Sequence, residues 1–217
     1  MFSKTLTLAS LLATTLALPN VTIKALPAGC SSYPGYDASS DTAGPWSASL
    51  ANSDNAQLEV FGDSTVYSVS YTPQTGPVMR WGRSVGVKLT INYRAAIART
   101  ALKCTSNKLQ AYTDTALTAA GAPTNVAWTP LALSPYPYDA ELLYLIDGDQ
   151  PTLYEHYAGD QKQDGYFLGG FNTSTWGVKW YDAEQGSEGF PYFQLRLLPE
   201  GQEVGTNETR TFLKIQT

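Results

Sequence analysis

The chain has 217 residues, enough for one domain with a sizeable core, and all-β domains of this length are commonly undivided. It carries 14 basic and 19 acidic residues, a net charge of −5, and no cluster of Lys and Arg, which argues against nucleic acids and anionic membrane surfaces as partners. The single histidine, His156, excludes zinc-peptidase motifs and a two-histidine copper site, so we expect no metal and no cofactor.

Residues 1–17 match the pattern of a secretory signal peptide. Lys4 supplies a basic start, an apolar stretch broken only by Thr and Ser follows, and Thr15-Leu16-Ala17 is a small-residue cleavage site. The stretch is too short to span a membrane, and no later segment has about 20 consecutive apolar residues. We therefore expect a secreted, extracellular or cell-wall protein without membrane insertion, which begins near Leu18 and has a net charge of −6.

Residues 18–56 are rich in Ser, Gly, Pro, Asp and Tyr, which predicts a loop-rich N-terminal arm. In an oxidising compartment the two cysteines, Cys30 and Cys104, are expected to form one disulfide that ties this arm to the rest of the chain. The bridge would close a loop of 75 residues, and loop-closure entropy then contributes about 4 kcal/mol of stability. We expect the arm and a β domain over residues 57–217 to form one domain.

After the arm, apolar and polar residues alternate with period two, which is typical of half-buried β-strands. The predicted strands cover residues 58–61, 65–71, 85–93, 128–133, 141–146, 152–157, 166–169, 176–181, 192–198 and 211–215. Turn residues separate most of them, and no helical segments alternate with them. We therefore predict an all-β fold, an antiparallel β-sandwich or alternatively a β-barrel, with at most one or two short helices.

The best helix candidate is the alanine-rich stretch 94–102. Alternatively, residues 102–104 and 109–112 form a hairpin in which Asn107 takes a positive φ. Residues 113–125 are rich in Ala, Thr and Gly and are predicted to form a surface loop.

Two local features suggest chemistry but have simpler interpretations. His156 is the one candidate base for a catalytic triad, yet no G-x-S-x-G motif accompanies it, so a structural role is favoured. Asp147-Gly148-Asp149 offers two carboxylates of the kind that Ca²⁺ binds, but a hairpin turn between two predicted strands explains the same residues.

Glycoside hydrolysis needs two carboxylates about 5 to 10 Å apart, one of them with a raised pKa. Three acidic residues on predicted strands are the candidates: Glu59, Glu141 and Glu155. The sequence alone pairs no two of them, and the catalytic residues stay unassigned.

The aromatic residues are the most suggestive group, because the chain has five Trp and fourteen Tyr and exposed aromatic rings stack on the C–H faces of sugars. The candidate ligand-binding residues in predicted loops are Trp81, Tyr136 and Tyr138, with Tyr33 and Tyr36 as further loop positions. The tryptophans expected to fill the core are Trp46, Trp128, Trp176 and Trp180.

Three N-x-[ST] sequons, at Asn20, Asn172 and Asn207, predict N-glycosylation of an exported chain. Asn172 and Asn207 are the better acceptors, because Asn20 lies close to the expected cleavage point.

Several strings resemble a family of uncharacterised secreted fungal proteins: CSSYPGY at 30–36, AGPW at 43–46, TALKC at 100–104, LQAY at 109–112, QDGYFLG at 163–169, TWG at 175–177 and RLL at 196–198. They span nearly the whole chain after residue 17. The resemblance implies a fungal exported protein with a Cys30–Cys104 bridge and a sequon near Asn172, and it implies no reaction.

We therefore predict a secreted extracellular or cell-wall-associated protein that binds a cell-wall or other extracellular polysaccharide without catalysis. Two alternatives stay open at this point. One is a carboxylate-dependent glycan hydrolase or lyase, and the other is a surface or host-interaction protein recognised through its shape.

Overall fold

The computed structural model describes residues 18–51, 66–68, 70–72, 76–78, 89–91, 100–114, 126–134, 141–144, 148–182, 184 and 192–217. The strands are β1 (Thr22–Ala25), β2 (Thr42–Ala51), β3 (Val66–Ser68), β4 (Ser70–Thr72), β5 (Gly76–Val78), β6 (Leu89–Ile91), β7 (Leu102–Thr105), β8 (Lys108–Asp114), β9 (Val126–Leu133), β10 (Leu142–Tyr144), β11 (Thr152–Ala158), β12 (Gln161–Lys162), β13 (Phe167–Gly169), β14 (Thr175–Tyr181), β15 (Tyr192–Leu197) and β16 (Glu208–Gln216). Within these ranges the helical structure is limited to one 3₁₀ turn, Cys30–Ser32, which confirms the all-β prediction.

One connected antiparallel sheet contains fourteen of these strands, and β4 and β5 pair separately. Its main path runs β10-β9-β8-β7-β2-β16-β14-β15-β6-β3. β13 also pairs with β16, β11 pairs with β13, and both β1 and β12 pair with β11. The described strands do not close into a barrel, so the barrel alternative is wrong.

Strand β2 corrects the prediction of a loop-rich arm over residues 18–56 for its last part, Thr42–Ala51. It lies in the middle of the sheet, where its first half pairs with β7 and its second half with β16. A β-bulge between Ala43 and Trp46, which contains a cis peptide bond between Gly44 and Pro45, interrupts the pairing with β7, and the pairing with β16 begins just after it at Ser47. Period-two alternation did not reveal β2 because the consecutive residues Ala48, Ser49 and Leu50 are all buried.

The sheet folds over so that inner faces of distant strands pack together. A methyl group added at Gly170, just after β13, would lie 2.2 Å from Leu133 Cδ1 of β9 and 3.6 Å from Leu197 Cδ2 of β15. These leucines belong to a continuous core that also includes Trp176, which is fully buried and donates its indole N–H to the Leu168 carbonyl at 2.7 Å. A side chain at position 170 would force the end of the Leu133 side chain to move, and the close approach places the core between the two parts of the sheet.

Two of the four tryptophans expected in the core are buried there, Trp46 and Trp176. The other two, Trp128 and Trp180, are only half-buried. Trp180 packs against Phe193 with ring centroids 4.7 Å apart, and Trp128 lies on the outer side of the sheet, as described below. The core prediction is therefore wrong for Trp128, which faces outward, whereas Trp180 lies on the same side of β14 as the buried Trp176 and Val178 and is covered only in part.

The hairpin alternative is confirmed between β7 and β8. Ser106 and Asn107 both have a positive φ, 51° and 59°, which is the geometry of a type I′ two-residue turn. Leu102 lies in β7, so the predicted helix does not extend to that residue; residues 92–99 lie outside the described ranges. Of the predicted loop 113–125, Thr113 and Asp114 belong to β8 instead, and the remainder lies outside those ranges.

The predicted disulfide is present and joins the 3₁₀ turn to β7. Cys30 and Cys104 have an S–S distance of 2.09 Å and a Cα–Cα distance of 5.3 Å, and both side chains are buried. In the part of the chain that the structure describes, no helix is long and apolar enough to cross a membrane.

The other predicted strands agree with the structure wherever it describes them. β9, β11, β13, β14, β15 and β16 lie at their predicted places, and β10 covers the middle of the predicted strand 141–146. Predicted strand 65–71 is divided between β3 and β4. β6 lies within predicted strand 85–93, whose other residues lie outside the described ranges, as does predicted strand 58–61.

Candidate functional site

The outer side of β7, β8 and β9 presents a mixed aromatic and polar surface. Alternation along β8 turns Leu109 and Ala111 into the core and leaves Gln110 and Tyr112 on the opposite side. The register places Gln110 beside Lys103 and Pro130, and Tyr112 beside Trp128. Because directly opposed residues in antiparallel strands share a face, five side chains form one surface, here called the β7–β9 face: Lys103, Gln110, Tyr112, Trp128 and Pro130.

Tyr112 is the most accessible ring of this face, with 38% of the residue exposed. Its ring centroid lies 5.3 Å from that of Trp128, and the two planes are inclined at 55°. Lys103 places its Nζ 4.5 Å from the centroid of the Trp128 ring, within the range of a cation–π contact. The pair is therefore a tilted cleft with a cation beside it, and not a flat aromatic platform.

The chemistry of the β7–β9 face suits a ligand with one apolar side and a polar rim. The Tyr112 ring can stack on C–H groups, the Lys103 ammonium offers three N–H donors, and the Gln110 amide can both donate and accept. All three side chains stand on paired strands, so the backbone that carries them is held by the sheet. Cys104, next to Lys103, adds the disulfide as a further constraint on β7.

The aromatic residues singled out in the sequence do not build this face. Trp81, Tyr136 and Tyr138 lie outside the described ranges. Tyr33 is buried, stacks on Trp46 at 5.4 Å, and has the pKa of its phenol raised by burial, so it cannot contact an external ligand. Tyr36 is half-buried and donates its hydroxyl to Asp41 Oδ1 at 3.0 Å.

Sequence reasoning missed Tyr112 and Trp128 as surface candidates, although a signal was present. Tyr112 shares the parity of Lys108 and Gln110 in the alternating stretch 108–113, which places it on the polar side. Trp128 shares the parity of Pro130, whereas Leu131 has the opposite parity and is buried. The register between strands, which brings the two rings together, has no counterpart in the local sequence.

His156 lies in the interior, with 1% of the residue exposed. Its Nε2 lies 2.7 Å from Ser174 Oγ. Its ring stacks on the ring of Phe167 with centroids 3.7 Å apart, and it makes an edge-to-face contact with Phe212 with centroids 4.5 Å apart. Burial lowers the pKa of His156 to about 4. A general base works best with a pKa near the operating pH, and Ser174 is equally buried, so the pair fits a structural role.

Glu155, one of the three carboxylate candidates, lacks the properties of a general acid. Glu155 accepts hydrogen bonds from Lys162 Nζ at 2.6 Å and from the Tyr157 hydroxyl at 2.8 Å, and these contacts lower its pKa, whereas a glycosidase acid needs a raised one. Glu141 is half-buried and accepts a hydrogen bond from the Gln194 amide. Glu59 lies outside the described ranges.

Sequence reasoning also missed Glu208, the most buried carboxylate among the described ion pairs. Its side chain is 1% exposed and receives two hydrogen bonds of 2.6 Å from the Arg196 guanidinium and one of 2.8 Å from the Gly205 N–H. Burial raises the pKa of Glu208, but these donors outweigh it and the pKa is lowered overall. Arg196 is on β15 and Glu208 on β16, and the ion pair spans β14 next to Gly177. The contact depends on the register of these strands, which the local sequence does not show.

The turn at residues 147–149 shows no metal-binding arrangement where it is described. Asp149 is exposed and forms an antiparallel bridge with Leu133 through the backbone, while Asp147 lies outside the described ranges. Over the residues with assigned positions, no group of three or more His, Cys, Asp and Glu side chains could hold a metal ion.

Comparison of the chain with protein-family models and with curated proteins finds no match. The resemblance to secreted fungal proteins stays a prediction, and the function has to be inferred from the geometry of the described surfaces.

Proposed function

We propose that the protein is an extracellular or cell-wall-associated protein that binds glycan without catalysis, and that a sugar ring stacks on the β7–β9 face. The observation that carries the proposal is the exposed ring of Tyr112 beside Trp128. Lys103 and Gln110 stand on the same face of the sheet next to these rings. Stacking on an aromatic ring together with hydrogen bonds to the hydroxyl groups is the combination that a sugar ring offers.

The shape and charge of the surface favour a particular class of glycan. The 55° inclination between Tyr112 and Trp128 leaves no flat plane on which a crystalline polymer face could lie, so single chains or amorphous polymer fit better. The net charge of −5 for the whole chain disfavours polyanions. A neutral polysaccharide, such as β-glucan, mannan or chitin in its non-crystalline form, is therefore the proposed ligand.

The carboxylates favour binding over hydrolysis. Glu155 and Glu208 both have lowered pKa values because cations or N–H groups stabilise their charged forms. A group of this kind is a poor proton donor at neutral pH. This supports a binding protein, while the hydrolase alternative would have to use other carboxylates.

The test is retention of the purified protein on insoluble amorphous chitin, β-glucan and mannan. Wild-type protein is expected to bind at least one polymer, and Tyr112→Ala is expected to bind it roughly tenfold more weakly, since a stacking contact of about 1.4 kcal/mol corresponds to that factor. Tyr181→Ala is the matched control, because Tyr181 also has a lysine beside its ring, with Lys179 Nζ 4.8 Å from the ring centroid, but it stands on β14 and outside the β7–β9 face.

The outcomes separate the function from the site. Retention of wild type on none of the polymers would overturn glycan binding. Retention that is unchanged in Tyr112→Ala but reduced in Trp81→Ala, or in the double variant Tyr136→Ala/Tyr138→Ala, would keep glycan binding and move the site to those loops.

A further inference from the structure

A two-residue turn after β13 places Asn172, the acceptor of the sequon Asn172-Thr173-Ser174, at the surface. The N–H of Gly170 donates to the Thr173 carbonyl at 2.9 Å, and the N–H of Thr173 donates back to the Gly170 carbonyl at 2.8 Å. Phe171 and Asn172 between them have φ values of 47° and 61°. Positive φ at both central positions defines a tight hairpin turn, so the acceptor Asn172 stands at its tip.

The turn is held from below on both sides. Thr173 donates its hydroxyl to the Leu198 carbonyl at 2.9 Å, and Ser174 pairs with His156 at 2.7 Å. The phenol of Tyr154 makes a hydrogen bond with the backbone of Asn172. Asn172 is therefore exposed on a fixed backbone, and its position relative to the neighbouring side chains is fixed with it.

Phe171 is the unusual residue of this turn. A large aromatic side chain seldom adopts positive φ, where Gly and Asn are preferred, and its presence costs roughly 1 kcal/mol or more of backbone strain. The residue is nevertheless 39% exposed, one of two large hydrophobic residues exposed in the described part of the chain. Because the ring is exposed, its burial contributes little to the stability of the fold and does not offset the strain of the turn. A contact with a group outside the polypeptide would explain why a ring is present here.

We propose that Asn172 carries an N-linked glycan and that the first sugar of this glycan packs on the ring of Phe171. The two residues are adjacent, both project from the same turn, and the apolar face of an N-acetylglucosamine is the surface that an aromatic ring binds. The proposal requires export through a glycosylating compartment but is independent of glycan binding at the β7–β9 face. Since Ser174 is buried in the fold, the sugar is transferred before this turn closes.

Asn207 provides a matched comparison within the same chain. It is also an exposed sequon asparagine with a φ of 61°, so its backbone resembles that of Asn172. Its neighbours in sequence are Thr206 and Glu208, and neither offers a ring. Asn207 therefore has no aromatic residue beside it in sequence, and its contact with an aromatic residue is through the backbone, where the N–H of Trp180 donates to its carbonyl at 3.4 Å.

The experiment uses the full chain made in a eukaryotic secretory host, in two single-sequon forms. The Asn172 form carries Asn20→Gln and Asn207→Gln, and the Asn207 form carries Asn20→Gln and Asn172→Gln. Peptide mass spectrometry measures occupancy, and thermal unfolding is compared for intact glycan, glycan trimmed to its first sugar, and glycan removed completely. The Asn172 form is also made with Phe171→Ala and with Phe171→Gly, which relieves the positive φ and so secures folding.

In the Asn172 form, trimming to one sugar should leave Tm unchanged, and complete removal should lower it by about 2 °C. The effect of removal should disappear in both Phe171 variants and be absent in the Asn207 form. The proposal is overturned if Asn172 is unmodified, if removal lowers Tm equally without the Phe171 ring, if trimming alone lowers Tm, or if the Asn207 form responds in the same way.

Discussion

Acidification from about pH 7 to about pH 5 should destabilise the protein through one side chain, His156. It is the single histidine of the chain, it is 1% exposed, and burial lowers its pKa from 6.5 to about 4. The unfolded state then binds the proton more tightly than the folded state, so stability that is present at neutral pH is lost as the pH falls from 6.5 towards 4. Linkage gives a loss of about 2 kcal/mol over this interval, equivalent to a Tm lower by roughly 4 to 8 °C.

The assay is thermal and urea unfolding followed by circular dichroism at several pH values. His156→Gln removes the titrating ring and should make the profile flat between about pH 7 and pH 5. Glu155→Gln is the matched control in the same strand, and it should keep the wild-type slope because a carboxylate with a lowered pKa titrates below this interval. A flat wild-type profile would refute the reasoning and would mean that the imidazolium is stabilised in place on the ring of Phe167. An unchanged slope in His156→Gln would refute it too, because another group would then cause the pH dependence.

Three further substitutions probe the sheet and its cross-links. Cys30→Ser should lower the free energy of unfolding by about 4 kcal/mol and leave one titratable thiol at Cys104; unchanged unfolding, or two titratable thiols in the wild type, would contradict this. Glu208→Gln removes the charge opposite Arg196 and should cost about 3 kcal/mol in urea unfolding. Arg196→Met should lose less stability than wild type on acidification, because the buried carboxylate then favours its protonated form and this opposes the effect of His156. A wild-type pH slope in Arg196→Met would count against that account. Gly169→Ala would place a methyl group 2.1 Å from a backbone carbonyl oxygen and should cost about 2 kcal/mol, so a wild-type Tm would show that the turn is less tightly packed than described.

Local patterns predicted the elements whose determinants are local. The hairpin between β7 and β8 was one of two alternatives for this segment, with positive φ expected at Asn107, and in the structure both Ser106 and Asn107 adopt the positive φ that such a turn requires. The same alternation of apolar and polar residues also indicates that Tyr112 faces outward. Its partner Trp128 could not be placed from sequence, because the contact depends on the pairing of β8 with β9.

The elements that the sequence did not reveal depend on contacts between distant segments. β2 lacks alternation because both of its sides are covered near Ala48 and Leu50, and its small residues have the composition of a loop. Glu208 and Arg196 are twelve residues apart in sequence. They meet because β15 and β16 both pair with β14, and Gly177 of β14 leaves room for the carboxylate. Period-two patterns carry no information about such register.

The position of β2 changes the physical role of the disulfide. If residues 18–56 were a loop arm, the bridge would be their main attachment to the domain. Instead Ala43 pairs in register with Cys104, Tyr33 stacks on Trp46, and five consecutive residues of β2 pair with β16. Because these contacts hold the segment in place without the bridge, its contribution comes chiefly from restricting the unfolded chain, and the loss in Cys30→Ser should appear as lower stability of an otherwise unchanged fold.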